Sequence, residues 1–272
     1  MSRKSLFRYL AAAAICALIP VTGAAGAGAP RHAQRAKPNI LLVHGAFVDG
    51  SSWKRVIERL RGDGYNAVAS QIPLTSFTDD VAAVQRDLRV LAGPTVVVGH
   101  SYGGAVITQA AAGASGVKAV VYIAATAPDT GESAVVFNQL APPLPSASDF
   151  TPIDLPNVGQ NGAPFVIIAR DKFRYDFCQD CAARDASVLA ATEVPTNASA
   201  FAAPITGVPA WRQVPAWYQI STRDRLISPA AQTRMAQRMD PSGAHTIRLA
   251  SSHGSLISHA EQVARFIERA SR

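Results

Sequence analysis

A serine hydroxyl becomes a nucleophile only when a base takes its proton and the chain holds it where a substrate can reach it. The segment "TVVVGHSYGGAVI", residues 95 to 107, contains such a serine: Ser101 stands at the centre of G-x-S-x-G, between Gly99 and Gly103. The apolar run ahead of it reads as a buried strand and "YGGAVITQAAAG" as the helix after it, and that context gives the motif its weight. So sharp a turn forces the central residue into a strained conformation, in which side chains two positions to either side would collide. Glycine at both positions removes the clash. A phosphate-binding loop is excluded because the Gly-Lys-Ser/Thr ending is absent. A passive serine in a glycine-rich connection is the alternative to be weighed against the rest of the chain.

The base and its orienting acid must come from elsewhere. Of six histidines, His32 lies near the N-terminus, His44 and His100 flank tight turns, His245 heads a strand and His259 opens the last helix. His253, in "ASSHGSLIS", falls in a loop just past the final strand and is the preferred base, with His259 next. For the acid, "WYQISTRDRLISP" ends a strand and delivers Asp224 at its carboxyl tip, with Asp129 after the fourth strand as runner-up. The order Ser101, Asp224, His253 is the one a nucleophile elbow uses. Two backbone N–H groups must face the developing oxyanion. Tyr102 offers one, and the turn "HGAFVDG" offers the other through Ala46, or through Phe47 if the turn is offset by one. His44 and Phe47 are expected beside the pocket.

These residues need a scaffold that brings strand ends together. "NILLVHG", "YNAVAS", "TVVVG", "VKAVVYIAATAP", "PAWYQIST" and "HTIRLA" read as six strands, with helical periodicity in the segments between most of them. The first helix, "SSWKRVIERLRGDG", has Ser51 or Ser52 as N-cap candidates; the second opens with capping residues and early acids. Further helices are predicted from Pro229 through Met239 and from about Ser258 to Ala270. The fold class is therefore α/β, a mostly parallel doubly wound sheet of about six strands. Residues 130 to about 213 break the alternation with closely spaced prolines and read as a lid insertion, with short helices plausible around 163 to 192.

The chain of 272 residues is 48% hydrophobic and 17% charged, as expected of a globular domain. Its formal charge of +7 includes Arg3, Lys4 and Arg8; without them about +4 remains, spread along the chain, with no basic stripe for nucleic acid. Those three residues precede an apolar run, Leu10 to Ile19, and then small residues in "TGAAGAGAP". Residues 1–29 are thus expected to be a signal peptide cut between Ala24 and Ala29, which implies export and leaves no stable membrane anchor. A linker at 30–38 and a domain at 39–272 follow. Export favours pairing of Cys178 with Cys181 in "DFCQDC", a loop so small that closure contributes at most ~2 kcal/mol.

With serine, turn, acid and histidine in order, residues 39 to 270 resemble the α/β-hydrolase superfamily, and the front half its small esterase, methyl esterase and hydroxynitrile-lyase branch. "HGA" at 44–46 with Trp53 nine positions after the histidine carries the likeness, as do "STRDRLISP" and "SSHGSLISH". The resemblance implies an α/β-hydrolase fold and cleavage of a small-molecule carboxylic ester through an acyl-enzyme on Ser101, without cofactor or metal. It leaves open a lyase or perhydrolase on the same triad, or a slow-turnover ligand-binding protein. A lyase would call for a charged group near the pocket, and Lys172 is the one candidate. Phe47, Tyr102, Phe137, Phe173, Phe177 and Trp211 suggest an apolar pocket or plain lid packing. Oligomeric state is not legible.

Overall fold

The computed structural model describes residues 36–142, 144–153 and 162–272. The expected signal peptide and most of the linker lie outside the described residues. Residues Lys37–Arg272 form one compact unit. Its spine is a sheet of six parallel strands: β1 (Asn39–Val43), β2 (Ala67–Ser70), β3 (Thr95–His100), β4 (Val117–Ile123), β8 (Ala216–Ser221) and β9 (Thr246–Leu249). Their order is β2-β1-β3-β4-β8-β9. Continuous apolar runs such as Ile40–Val43 and Val96–Val98 are fully buried, because helices cover both faces of a parallel sheet.

The crossovers are α1 (Lys54–Gly62), α2 (Phe77–Leu91), α3 (Gly103–Ala110) and α8 (Pro229–Met239), with α9 (Ser255–Ser258) and α10 (Ala260–Ala270) after the last strand. Two boundaries differ from expectation. Asp49, not a serine, caps the first turn, accepting from the Ser51 amide at 2.8 Å, because Asp49 is extended while Ser51 and Ser52 already lie inside the turn. The last helix, expected from about Ser258, runs Ala260–Ala270, with His259 separating it from the short helix α9. Of the two early acids of α2, Asp80 is completely buried, turned inward rather than toward solvent.

The insertion is more ordered than its composition suggests. It carries α4 (Phe137–Leu140), β5 (Phe150–Ile153), β6 (Phe165–Ile168), α5 (Phe173–Phe177), α6 (Ala183–Ala191), β7 (Thr196–Asn197) and α7 (Ala198–Ala202). The helices expected at 163–192 form as α5 and α6, but Phe165–Ile168 is a strand, the centre of a small antiparallel sheet β5-β6-β7. Its partners are distant in sequence and short, which hides the pairing from local pattern. No helix among the described residues is long and apolar enough to cross a membrane.

Strand order reverses between β1 and β3: β1 leads outward to β2, whereas β3 leads the other way to β4. The carboxyl ends of these neighbours, paired Val43 to Gly99, open a crevice where ligands of such sheets bind. Into it run the turn at 44–46 and the turn at Ser101, and their backbones touch. A Cβ on Gly103 would run into the carbonyl oxygen of His44 and sit 2.8 Å from that of Val43. Gly103→Ala is therefore expected to destabilise the fold by roughly 2–3 kcal/mol in urea unfolding, because rigid backbone must move. The exposed helix-end substitution Gly62→Ala, which meets nothing within 4 Å, should be neutral or stabilising by up to about 1 kcal/mol.

Candidate active site

Ser101 has φ 53°, in the left-handed region that a side-chain-bearing residue rarely adopts. The backbone around it is tied down. Its N–H donates to Ile123 O at 3.2 Å, and its carbonyl accepts from the amides of Gly104 at 3.0 Å and Thr126 at 3.1 Å. The collision expected of the motif is real, since a Cβ on Gly99 would lie 2.6 Å from Gly103 O. Gly45 matters equally, because a Cβ there would lie 2.7 Å from the Cβ of Ser101.

Asp224 and His253, from the loops after β8 and β9, meet as expected. His253 Nδ1 lies 2.8 Å from Asp224 Oδ2, both side chains essentially without solvent contact. Asp224 Oδ1 accepts from the amides of Leu226 at 2.8 Å and Ile227 at 2.9 Å, and Oδ2 accepts also from Gln232 Nε2 at 2.8 Å. Gln232 in turn accepts from the Ser221 amide at 2.9 Å, which locks its amide orientation. Four donors thus fix the carboxylate, and the imidazole proton is held on Nδ1. His253 Nε2 is buried with no hydrogen-bond partner among the described residues. The His253 ring sits 4.7 Å from that of His100, the residue before Ser101. Ser101 Oγ and His253 Nε2 are not hydrogen-bonded here, a pairing that in unliganded sites often tightens only with substrate.

The runners-up are occupied elsewhere. Asp129 pairs with Arg212, whose guanidinium holds its carboxyl below the usual range. His259 Nδ1 lies 2.8 Å from Ser258 Oγ, away from Asp224.

The turn after β1 settles which amides are free. Phe47 N–H donates to Thr196 Oγ1 at 3.2 Å, and Phe47 O accepts from Val194 N at 3.1 Å, so the lid strand segment grips this residue. Among the described residues no protein acceptor meets the amides of Ala46 or Tyr102. His44 does not line the pocket; it is buried behind the turn. Its Nε2 accepts from the Ile72 amide at 3.1 Å, so Nδ1 carries the proton and donates to Gly45 O at 2.9 Å. That carbonyl shares a peptide plane with the Ala46 N–H, so fixing one aims the other the opposite way. Burial lowers the pKa of His44, and burial together with the nearby His253 pushes that of His100 well down, keeping both neutral. His100 Nε2 then donates to the His253 carbonyl at 3.0 Å.

Above Ser101 lies a cavity of about 390 Å³. Ala46, Tyr102, Phe47, Phe137, Phe150 and Phe201 line it together with the polar Asn138 and Thr126, and among the described residues that line it none is charged. Of the lid aromatics expected at the pocket, Phe137, Phe173, Phe177 and Trp211, Phe137 lines it. Phe173 and Phe177 are buried in a stack beside His253, and Trp211 donates to Pro128 O at 2.9 Å. Lys172 is exposed at the start of α5 and outside the lining. The sequence reading missed Phe150, Phe201, Thr196, Gln232 and Asp180. Each reaches the site through long-range contact with no local mark.

The model of the alpha/beta hydrolase family matches residues 40–266. The chain is similar to "Alpha/beta hydrolase nvfD" of Aspergillus novofumigatus, 29% identical over 257 residues, covering 86% of this chain and 96% of that one. Among solved structures it resembles a pyrethroid hydrolase from Sphingobium faniae, with TM-score 0.71 and 21% identity over 86% of this chain and 97% of the other. It also resembles polyneuridine aldehyde esterase, with TM-score 0.73 and 16% identity over 87% of this chain and 100% of the other. At such identities the structural likeness carries the fold.

Asp80, a further residue behind the site, had a readable signal: it is an acid on the same helical face as Phe77, Val81 and Val84. Its Oδ1 accepts from the Leu74 amide at 2.7 Å and its Oδ2 from the Tyr102 hydroxyl at 2.7 Å, tying α2 to the residue after Ser101. Burial pushes its pKa up to about 6. A raised acid pKa means that the folded state holds the proton longer than the unfolded chain. The associated stability is complete below about pH 4 and lost as pH rises through 6. Asp80→Asn removes that slope, so relative to the unsubstituted protein the variant should gain on the order of 3 kcal/mol between pH 4 and 7. Urea unfolding of both proteins at the two pH values measures it, and a constant difference would contradict the assignment.

Proposed function

The chain belongs to the alpha/beta hydrolase family, and on that premise we propose that it is a serine-dependent carboxylic ester hydrolase with Ser101 as nucleophile. The observation that carries this reading is the His253 ring, anchored through Nδ1 on Asp224 while its buried Nε2 has no partner among the described residues, beside a serine held at positive φ. Nε2 takes the Ser101 proton as Oγ attacks the ester carbonyl. The oxyanion forms against the amides of Ala46 and Tyr102, at the first turn of α3, where the helix dipole also favours negative charge. His253 returns the proton to the departing alkoxide, releasing the alcohol and leaving an acyl-enzyme. Water, deprotonated by the same nitrogen, then cleaves the acyl group. Every group used belongs to this chain.

The cavity supports a class of substrate. A volume of about 390 Å³ suits a small molecule, and mostly apolar walls, without a charged side chain among the described lining residues, would leave a substrate carboxylate or ammonium desolvated and unpaired. Thr126 Oγ1, buried without a partner among the described residues and lining the cavity, offers a polar handle. We therefore assign neutral, apolar esters. The lyase alternative loses its lysine, because Lys172 lies outside the cavity. The basic and apolar segment within residues 1–29 supports action after export.

A fluorophosphonate probe is expected to add one label per chain, and Ser101→Ala to abolish both labelling and ester hydrolysis; undiminished labelling of the variant would refute Ser101 as nucleophile. In a panel matched for size, neutral aryl and alkyl esters should exceed esters bearing a free carboxylate by about 100-fold or more in kcat/KM. Equal rates would remove the apolar-pocket assignment.

A further inference from the structure

We propose that the lid loop Cys178–Cys181 is a positioning element for His253, in which Asp180 holds the histidine loop in place and a Cys178–Cys181 disulfide holds Asp180. The proposal rests on the triad reading above and extends it to how the lid maintains that triad.

Nearly every residue of this loop meets one of the two loops that carry the acid and the base. Asp180 Oδ2 accepts from the backbone amide of Ser252, the residue before His253, at 2.8 Å, and its Oδ1 accepts from the Ser252 hydroxyl. On the other side of the histidine, the Gly254 amide donates to Phe177 O at 2.8 Å. His253 is thus bracketed, with the amides before and after it both held by the lid and its own carbonyl held by His100. Phe177 adds its ring edge-on to the imidazole at 5.2 Å. Gln179 Nε2 donates at 2.6 Å to the carbonyl of Arg223, the residue before Asp224. Cys178, fully buried, packs so closely on Gly254 that a Cβ there would sit 2.8 Å from its sulfur.

Backbone bonds within the loop are few, and Cys178 N–H donates back to Arg174 O at 3.2 Å. One backbone hydrogen bond closes it, Cys181 N–H to Cys178 O at 3.1 Å. The two cysteines have Cα atoms 5.3 Å apart, within the span of a disulfide, and their sulfurs are in bonding contact. A bridge here closes too few residues to stabilise the whole fold much, so its effect is local. It keeps Asp180 presented toward Ser252. Both carboxylate oxygens already serve Ser252, and Oδ2 also lies 3.7 Å from His259 Nδ1, so the Cys178, Asp180 and Cys181 cluster is built for contact with the histidine loop and its following helix rather than for holding a metal. A small displacement of a general base away from its serine slows catalysis steeply without altering the pocket that binds the ester.

The test uses the purified protein and a short p-nitrophenyl ester, with competent sites counted by fluorophosphonate titration. Asp180→Ala is expected to lower kcat per titrated site at least about tenfold with KM within about twofold. Asp180→Asn, which keeps an acceptor for the Ser252 amide, should recover most of that loss. If Asp180 only supported folding, the number of titratable sites would fall and kcat per site would not; that result would overturn the proposal. Reduction by a dithiol, which becomes a cyclic disulfide as the bridge takes up two electrons and two protons, should add two hydrogens to the intact mass. It should lower kcat per site in the unsubstituted protein and change nothing in the Cys178→Ser/Cys181→Ser double variant, itself already slow. Two added hydrogens with an unchanged kcat, or no added hydrogens, would overturn the role of the bridge. Failure of the underlying triad reading shows separately, as hydrolysis surviving in Ser101→Ala.

Discussion

The strained backbone at Ser101 is the constraint around which the molecule is arranged. A serine at φ 53° persists only if its surroundings leave it no alternative. Those surroundings come from several directions: the Ile123 carbonyl at the end of β4, the Thr126 amide just beyond it, and the β1 turn pressed against the elbow through Gly45 and Gly103. Only a parallel sheet with β1, β3 and β4 side by side delivers all of these at one point. The order of strands is thus part of the chemistry, because it brings the turn with the Ala46 amide and the turn with the nucleophile into contact.

Buried polar groups then set the protonation pattern. Three histidines lie close behind or beside the serine, and only one faces a carboxylate. His44 and His100 are neutral through burial, each with a hydrogen bond to a backbone carbonyl, so neither competes with His253 for a positive charge. Asp224, surrounded by two amides, a glutamine and the imidazole, is the one acid in position to support that charge. The lid contributes at two places. Thr196 takes up the amide of Phe47, leaving that of Ala46 without a protein acceptor, and Asp180 and Phe177 hold the histidine loop.

What could be read from the sequence follows the range of the forces involved. Ser101, Ala46, Asp224 and His253 each sit beside local punctuation, a glycine or the end of an apolar run, and the six strands announce themselves as short apolar segments. Asp49 and the neighbouring serines all offer cap oxygens, and only the extended backbone at Asp49 separates the cap from residues already inside the turn. Residues set by distant contacts escaped. Phe165–Ile168 looks helical or irregular until Phe150–Ile153 and Thr196–Asn197 pair with it. Asp180 in "CQDC" carries no local mark of its contact with Ser252, and His44, expected beside the pocket, instead braces the turn from behind.

The central claim is that an acyl group passes through Ser101, with His253 moving the proton. Rapid acid quenching during turnover of a short ester, followed by proteolysis and mass mapping, tests it most directly. The account predicts one acyl group on the peptide containing Ser101, formed no more slowly than product is released and absent in the Ser101→Ala protein. Product release with the acyl group on another residue, or with Ser101 unmodified at every time sampled, would contradict it.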